Sequence, residues 1–303
     1  MTDTPTTHRV AEGLPDPDAA LRLLAAAEAA DGVEAFGEAF VRGLTDADAG
    51  HRHFHVPAAD GSGELLGIAG VAPDAIELAV APGARRRGVG AALLRAVDGA
   101  VGKLLPVWAH GNVAGAAELA EGTGRRVVRE LLQMTADGDA LASLADGGTP
   151  PEGIRLEDLP AAWERMGEDS VDAAWLAVNN EAFSWHPEQG GWDEKQLRRA
   201  RDVDWFDPSG VLFAVDEATD RLVGFHWTKW HGGGTGEVYV IGLADAARGR
   251  GVGGWLTAAG MEHLRGRGAE RVILYVEGDN GPAVRTYEKL GFDVTRADVM
   301  YGM

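Results

Sequence analysis

The sequence predicts an α/β protein with a mixed (α+β) β-sheet, organised as two related domains in tandem. A glycine-rich segment that joins a strand-like run to a helical stretch occurs twice, at residues 85–90 and at residues 248–253. In the second half the order is strands, helix, strand, helix, strand, which is typical of a mixed sheet flanked by helices. A repeat this long indicates duplicated domains rather than a solenoid, in which the period is roughly 20–50 residues.

Composition fits a globular protein of two domains and excludes several classes of function. The chain has 303 residues, which is long enough for about two domains with a hydrophobic core each. Of these residues 45% are apolar and 25% are charged, as in globular proteins. The lack of cysteine excludes disulfides, thiolate metal sites and a cysteine nucleophile. A net charge of -19 opposes binding to nucleic acid or anionic membranes. Without a signal peptide or a long apolar run, we expect a cytoplasmic protein. We also expect a monomer.

The first half is predicted to alternate strands and helices around the first glycine turn. We expect a helix over 16–30, strands over 65–71 and 76–80, a helix over 89–101, and strands over 104–108 and 126–134. A segment rich in glycine and proline follows. The predicted domains are 1–140 and 153–303, joined by a linker at 141–152. Leu141 and Leu144 leave a short helix in the linker as an alternative.

The second half repeats this order around the second turn. A hairpin is predicted over 211–215 and 222–227, followed by a loop over 231–236 and a strand over 237–243. A helix over 255–264 comes next, with Leu256, Gly260 and Leu264 on one face. A strand over 271–276, a helix over 282–290 and a strand over 292–294 complete the half.

The two glycine turns are candidate phosphate sites. A glycine turn at a helix N-terminus leaves backbone N–H groups without acceptors, and such groups bind phosphate. The spacing differs from the Gly-x-Gly-x-x-Gly of dinucleotide-binding proteins, and no Gly-Lys-Ser/Thr follows. Pyrophosphate held by backbone amides near arginine remains the best interpretation, and a tight connection without a ligand is the alternative for either turn alone.

Further motifs carry a resemblance to a known superfamily. The pattern Arg-x-x-Gly-x-Gly after a strand, with Asn280 and Tyr287-Glu-Lys-Leu-Gly-Phe292 downstream, resembles the GNAT superfamily of acetyl-coenzyme A (acetyl-CoA) N-acyltransferases. The tandem arrangement, with His-Pro-Glu-Gln-Gly-Gly-Trp at 186–192 and Gly-Glu-Val-Tyr-Val at 236–240, resembles the mycothiol synthase family within it. This resemblance implies direct acetyl transfer from acetyl-CoA to the cysteinyl amine of cysteinyl-glucosaminyl-inositol.

The resemblance also implies the catalytic groups. Glu237 begins the strand that leads into the second turn, and it is the expected general base for the amine. Tyr287 is the expected proton donor to the departing thiolate. A solvated strand-edge carboxylate and a packed core aromatic are the respective alternatives. Gly242 indicates either a bulge or close backbone approach beside the thioester, or a core position without room for a side chain.

Cofactor contacts are expected in both halves, so that each domain binds one acetyl-CoA. In the second half, amides near Ile241 would bind the thioester oxygen, the turn would bind the pyrophosphate, and the start of the last helix would line the pantetheine. The complete set is Leu78, Ala79, Val80, Arg86, Arg87, Gly88, Val89, Gly90 and Ala91, with Ile241, Gly242, Leu243, Arg248, Gly249, Arg250, Gly251, Val252, Gly253, Gly254, Asn280, Gly281, Pro282, Ala283, Val284 and Arg285.

Acceptor contacts follow from the resemblance alone. They are Glu38, Glu188, Lys229, Glu237 and Tyr275. A surface helix residue is the alternative for Glu38, and buried packing is the alternative for Tyr275. The alternating histidines at 51–55 share one strand face, but no carboxylate accompanies them, and we expect no metal site.

The two halves differ at the expected catalytic positions. When Tyr275 is aligned with Trp108, Ala120 stands opposite Tyr287 and Val113 opposite Asn280. We therefore expect the first domain to bind acetyl-CoA without transferring acetyl. Two alternatives remain for the whole chain. One is a tandem N-acetyltransferase for another amine, such as an aminoglycoside or a peptide, and the other is a non-catalytic regulator that binds acetyl-CoA.

Overall fold

The computed structural model describes residues 8–46, 49–144, 148–184 and 189–303. The chain divides into two compact units. Described residues up to Leu132, together with Glu277–Asp279 and Arg296–Met303, form the first unit. Gln133–Val276 and Asn280–Thr295 form the second unit. The predicted boundaries at 140 and 153 stay a prediction.

Consecutive antiparallel strands and strand–helix–strand segments both occur along the chain, as in a mixed α/β fold. The elements up to the end of the predicted first domain are β1 (Ala11–Glu12), α1 (Pro17–Asp31), α2 (Glu38–Gly43), β2 (Arg52–Pro57), β3 (Leu65–Val71), β4 (Ile76–Val80), α3 (Val89–Val101), β5 (Val107–Ala109), α4 (Ala116–Gly122), β6 (Arg126–Asp137) and α5 (Gly138–Leu144). The remaining elements are β7 (Ile154–Asp158), α6 (Leu159–Met166), α7 (Glu168–Ala182), α8 (Glu194–Arg201), β8 (Val211–Asp216), β9 (Arg221–Gly232), β10 (Thr235–Leu243), α9 (Val252–Gly266), β11 (Arg271–Glu277), α10 (Gly281–Lys289) and β12 (Asp293–Gly302).

The first unit is a mixed sheet with a helix on each face. Its strands lie in the order β1-β2-β3-β4-β5-β12. Only the β4–β5 pair is parallel among these neighbours. Leu93 and Val97 of α3 pack with Phe54 on one face, whereas Leu23 of α1 packs with Ile68 on the other. The start of α1 is capped by Asp16, whose carboxylate accepts a hydrogen bond from the Asp18 amide.

The second unit has the same plan. Its strands lie in the order β11-β10-β9-β8-β7, with a parallel β10–β11 pair and antiparallel neighbours otherwise. Trp175 of α7 packs against Phe213, Phe225 and Trp227 on one face. Leu256 of α9 packs on the opposite face. In each unit, one strand of the parallel pair, β4 or β10, precedes the glycine turn.

Most predicted elements are present, and the differences lie at their ends. The predicted loop over 231–236 is wrong, because β9 continues to Gly232 and β10 begins at Thr235. Consecutive left-handed glycines at 232–234 make this tight turn, with φ values of +78°, +56° and +76°. In the predicted linker the helical alternative is correct, since α5 buries Leu141. No helix in the described part of the chain has the length and apolarity to cross a membrane.

Candidate active site

The glycine turn of the second unit ends in an uncapped helix N-terminus. Gly249 and Gly251 are left-handed, with φ values of +73° and +79°, and α9 begins at Val252. The first N–H groups of a helix have no intrahelical acceptors, and no side chain caps those of α9. These amides and the helix dipole form a binding surface for an anion.

Strand β10 contains a bulge before this turn. Val238 lies opposite Thr228, but Val240 lies opposite Trp227, so Tyr239 is an extra residue. The parallel pairing of β10 with β11 ends at Val238 and Leu274. Beyond the bulge, β9 is the only neighbour of β10 within the described residues. The second edge of β10 is therefore open for a bound chain that carries amides.

Hydrogen-bond alternation shows which backbone groups face this open edge. The Ala244 amide donates to the Val223 carbonyl of β9. Since backbone groups along an antiparallel strand point to alternate sides, those of Ile241 and Leu243 face the open edge, and those of Gly242 face β9. An added Cβ at Gly242 would lie 2.6 Å from the Phe225 ring. Gly242 is therefore a core position without room, and the bulge lies at Tyr239 instead.

Glu237 lies just before the bulge and is buried. Only 7% of the residue is exposed, which does not fit a solvated edge carboxylate. Its Oε2 lies 2.6 Å from Nε2 of His231, while Oε1 has no hydrogen-bond partner among the described residues. Lys229 faces Glu237 directly across the strand pair. A buried carboxylate with one unoccupied oxygen is suited to accept a proton.

Aromatic rings hold Lys229 beside this carboxylate. Its Nζ lies 4.8 Å from the ring centre of Trp205 and 5.6 Å from that of Tyr239. The two rings contact each other edge to face, 4.9 Å apart. The ammonium group is therefore positioned by cation–π interactions rather than by an ion pair with Glu237.

Tyr275 and the last helix carry the other predicted groups of this unit. Tyr275 on β11 is 38% exposed, so it is not buried packing, and its hydroxyl accepts a hydrogen bond of 2.7 Å from Gln133. Asn280 caps α10 by accepting a hydrogen bond from the Ala283 amide. Burial raises the pKa of Tyr287 to about 12, and its hydroxyl has no partner among the described residues. This phenol is a neutral hydrogen-bond donor at physiological pH.

The first unit repeats the turn in the same conformation. Arg86 and Gly88 are left-handed, with φ values of +60° and +83°, and α3 begins at Val89 without a side-chain cap. The Arg85 guanidinium is held by both carboxylate oxygens of Asp31 at 2.6 and 2.7 Å. A second uncapped helix N-terminus is thus presented at the end of β4.

A cavity of about 450 Å³ adjoins this turn within the first unit. Its lining includes the predicted cofactor residues Leu78, Val80, Arg86, Gly88, Val89, Gly90 and Ala91. Two predicted residues do not line it: Ala79 is buried in the core, and the Arg87 carbonyl contacts His8. Trp108, His110 and Tyr301 line other parts of the cavity.

The first unit lacks counterparts of the candidate catalytic groups. Its β3–β4 pairing has no bulge. The parallel register sets Ile76 against Val107, as Val238 is set against Leu274. With Val107 aligned to Leu274, the preceding residue Ala75 occupies the position of Glu237. Ala120, which was aligned with Tyr287, is buried against Val299 and Tyr301.

An ionic cluster that the sequence did not predict lies in the first unit. Nε2 of His110 is 2.9 Å from Glu77, and Nδ1 is 3.4 Å from Asp298. Burial opposes the charge on His110, but the hydrogen bonds to Asp298 and Glu77 outweigh it and raise its pKa to about 9. Asp298 comes from the last strand, so spacing alone gave no signal. Glu77 also accepts a hydrogen bond from the Gly37 amide.

The remaining predicted acceptor residues lie outside the described part of the second unit. Glu38 is exposed at the first position of α2 in the first unit. Glu188 lies outside the described residues. Burial, followed by repulsion from His51 and His55, lowers the pKa of His53. No group of three metal-ligating side chains occurs among the described residues.

Comparisons with known proteins agree with this architecture. The family model described as Acetyltransferase (GNAT) family matches residues 175–292. A mycothiol acetyltransferase of Corynebacterium aurimucosum is 44% identical over 280 residues, which cover 90% of each chain. A GCN5-related N-acetyltransferase structure from Sphaerobacter thermophilus is 25% identical, with a TM-score of 0.73 over 97% of this chain and 95% of that one. A tandem GNAT protein from the clavulanic acid biosynthesis pathway is 21% identical, with a TM-score of 0.69 over 97% and 98%.

Proposed function

The chain belongs to the mycothiol acetyltransferase family, and we propose that its second unit transfers acetyl to the cysteinyl amine of cysteinyl-glucosaminyl-inositol. It is an N-acetyltransferase with a GNAT domain, it uses acetyl-CoA and a small-molecule acceptor, and it acts in mycothiol biosynthesis. The observation that carries the assignment to the second unit is the buried carboxylate of Glu237. It lies on the strand whose open edge leads into the uncapped helix.

The second unit fits acetyl-CoA through backbone groups. The amides at the start of α9, from Val252 to Gly254, would hold the pyrophosphate. The open-edge groups of Ile241 and Leu243 would bond the amide-containing pantetheine and stabilise negative charge on the thioester oxygen. Arg250 is directed to the carbonyls of Ala246 and Glu152, so it would stiffen the turn. Acetyl-CoA supplies the activated acyl group, and these residues orient it.

Two side chains would move the protons. Glu237 accepts a proton on Oε1 from the acceptor's ammonium group, which frees the amine lone pair for attack. Tyr287 donates a hydrogen bond, and finally its proton, to the departing sulfur. Its raised pKa keeps the phenol protonated until that moment. Direct transfer fits these roles, and the absence of cysteine excludes an acyl intermediate on a cysteine thiol.

The acceptor would be held by groups around this carboxylate. Lys229 and Tyr275 present polar ends that suit hydroxyl groups of a sugar or an inositol. Glu38 and Glu188 remain predicted acceptor contacts. The finer assignments of a monomer, a cytoplasmic location and no contact with nucleic acid or membrane also stay predictions.

The first unit would bind a second acetyl-CoA without turnover. Its cavity and uncapped helix support binding, while Ala75 and Ala120 replace the proton-moving groups. A non-catalytic regulator is disfavoured for the whole chain, because the second unit retains both groups. Another amine acceptor is disfavoured by the 44% identity to a mycothiol acetyltransferase.

Glu237→Gln tests the assignment most directly. The amide keeps the shape of the carboxylate but cannot take the proton, so kcat near neutral pH should fall roughly 10²–10⁴-fold. Acetyl-CoA binding, measured by calorimetry, should not change. The matched control is Glu270→Gln, on an exposed carboxylate of the same unit. Wild-type turnover in Glu237→Gln, or transfer to a peptide or aminoglycoside with no transfer to cysteinyl-glucosaminyl-inositol, would refute the proposal.

A further inference from the structure

His231 contacts the candidate base, although the sequence placed it in a loop. We infer that His231 is a positioning residue that holds Glu237 in its reactive orientation and in its ionised form. This inference rests on the proposed role of Glu237 as the base. His231 itself contacts no reacting atom in this scheme, because it bonds the carboxylate oxygen opposite to the one that takes the proton.

The contact has the geometry of a strong hydrogen bond. Nε2 of His231 lies 2.6 Å from Oε2 of Glu237, a separation typical of charge-assisted hydrogen bonds. The carboxylate side chain is only 9% exposed, whereas the imidazole is 34% exposed. The imidazole thus covers Oε2 from the solvent side. Oε1 is left as the only oxygen available to an amine.

The fold sets this contact through strand register. Glu237 faces Lys229 across the β9–β10 pair, and near the hairpin end the register shifts, because Gly236 lies opposite Trp230 and Thr235 lies opposite Gly232. His231 is the extra residue of this second bulge, and its imidazole contacts Glu237. The glycine turn at 232–234 closes the hairpin immediately afterwards. The pair of side chains therefore depends on the length of this hairpin. The β3–β4 hairpin of the first unit closes earlier, where the Ala72 amide bonds the Ala75 carbonyl, and it carries no equivalent pair.

His231 is the one side chain among the described residues that is hydrogen-bonded to Glu237. Of the other charged groups on this face, Lys229 lies over the rings of Trp205 and Tyr239, and Arg271 of β11 bonds Thr235. On α7, which packs on the same face, the carboxylates are engaged elsewhere. Asp172 pairs with Arg201, and Glu181 accepts from the Asp245 amide.

This arrangement gives His231 two physical effects. A donated N–H stabilises the ionised carboxylate, which must otherwise bear the cost of burial. The bond also fixes the side-chain rotamer of Glu237, so that Oε1 points consistently to the acceptor. During the reaction the N–H bond of the ammonium breaks and an O–H bond forms at Oε1. The proton on Nε2 stays in place throughout.

The test is the pH dependence of kcat in His231→Ala. Without the donor, the buried carboxylate loses a hydrogen bond that favours its ionised form, so kcat should fall more at low pH than at high pH. Near neutral pH, kcat should fall about tenfold and recover towards pH 9. KM for acetyl-CoA should stay unchanged. His231→Gln retains an N–H donor of similar reach. Its kcat and the pH dependence of kcat should therefore stay close to those of the wild type.

Controls separate this inference from the proposed function. His263→Ala removes another histidine–carboxylate contact of the same unit, 3.2 Å from Asp207, and should leave the profile as in the wild type. A wild-type profile in folded His231→Ala overturns the inference, and an equal loss of kcat at every pH overturns the stabilisation of the ionised carboxylate. If Glu237→Gln abolishes turnover in either case, the proposed function stands while the inference falls. If Glu237→Gln is active, the proposed function itself falls.

Discussion

The two glycine turns share one backbone conformation, but the strands before them differ. Residues 86 and 249 are both left-handed, as are residues 88 and 251, and each turn starts an uncapped helix. In the second unit the preceding hairpin is longer, and its strand contains a bulge at Tyr239. In the first unit the hairpin is short and its register is unbroken.

Under the proposed function, this difference would separate acetyl-CoA binding from acetyl transfer. The glycine turn and the uncapped helix N-terminus depend on backbone geometry, which both units retain. The two groups that would move protons are Glu237, on the strand after the longer hairpin, and Tyr287, on α10. His231 lies near the end of the same hairpin and would position Glu237. The first unit instead presents Ala75 and Ala120 at the aligned positions, and its added charges form the cluster around His110.

The largest expected effect comes from breaking each turn in the same way. Gly251→Val and Gly88→Val both force a β-branched residue into a left-handed conformation that it disfavours. Gly251→Val should lower kcat/KM for acetyl-CoA by roughly 10²-fold or more, because the amides of α9 move. Gly88→Val should leave kcat within about threefold and remove one of two binding events in calorimetry. Comparable losses of turnover in both variants would show that both units catalyse.

A second effect compares tyrosines of the two units. Tyr287→Phe removes a neutral donor with a raised pKa, so kcat should fall roughly 10²-fold while acetyl-CoA binding persists. The matched control is Tyr301→Phe in the first unit, which loses a hydrogen bond of 2.8 Å to Asn112. Steady-state kinetics should show little change in this control. Near-normal turnover in Tyr287→Phe would return that tyrosine to a packing role.

The sequence predicted the shared features better than the distinguishing ones. Left-handed turns and alternating apolar runs are local signals, so β3, β4, α3 and both turns were located correctly. The bulge at Tyr239 depends on the pairing of three strands, and no residue type in this segment is specific for a bulge. Glycine is rare in strands, so Gly242 indicated a bulge as one possibility, but glycine is needed there because the Phe225 ring leaves no room for a Cβ atom. The partners of His110 lie at positions 77 and 298, which only tertiary structure brings together.

A third, smaller effect tests the ionic cluster that distinguishes the first unit. The pKa of His110 is raised from 6.5 to about 9 in the folded protein. Its charge therefore stabilises the fold fully below pH ~6.5, and this contribution is lost as pH rises through about 9. At pH 6, His110→Gln should lower the free energy of unfolding by roughly 1–3 kcal/mol, which corresponds to a decrease in Tm of several degrees. The difference from wild type should narrow by pH 10, and a constant difference would contradict the assignment.

The smallest effect concerns the one residue type that differs inside the turns. Arg86 adopts a left-handed φ of +60° where the second unit has Gly249, and an L-residue there costs about 1–2 kcal/mol. Glycine lowers the free energy of unfolding by about 0.5–1 kcal/mol, because it has more conformational freedom in the unfolded chain. Arg86→Gly should thus leave Tm equal or raise it by about 1–3 °C without ligand, as differential scanning calorimetry can measure.

Acetyl-CoA sharpens this last comparison. Arg86 is exposed and lines the cavity of the first unit, and its guanidinium makes no ion pair with the described residues. If the strain at Arg86 is retained because the side chain binds phosphate, Arg86→Gly should reduce the rise in Tm that acetyl-CoA produces. Gly249→Arg in the second unit should lose stability without gaining such a rise. An unchanged ligand response in Arg86→Gly would mean that backbone amides alone hold the anion in both units.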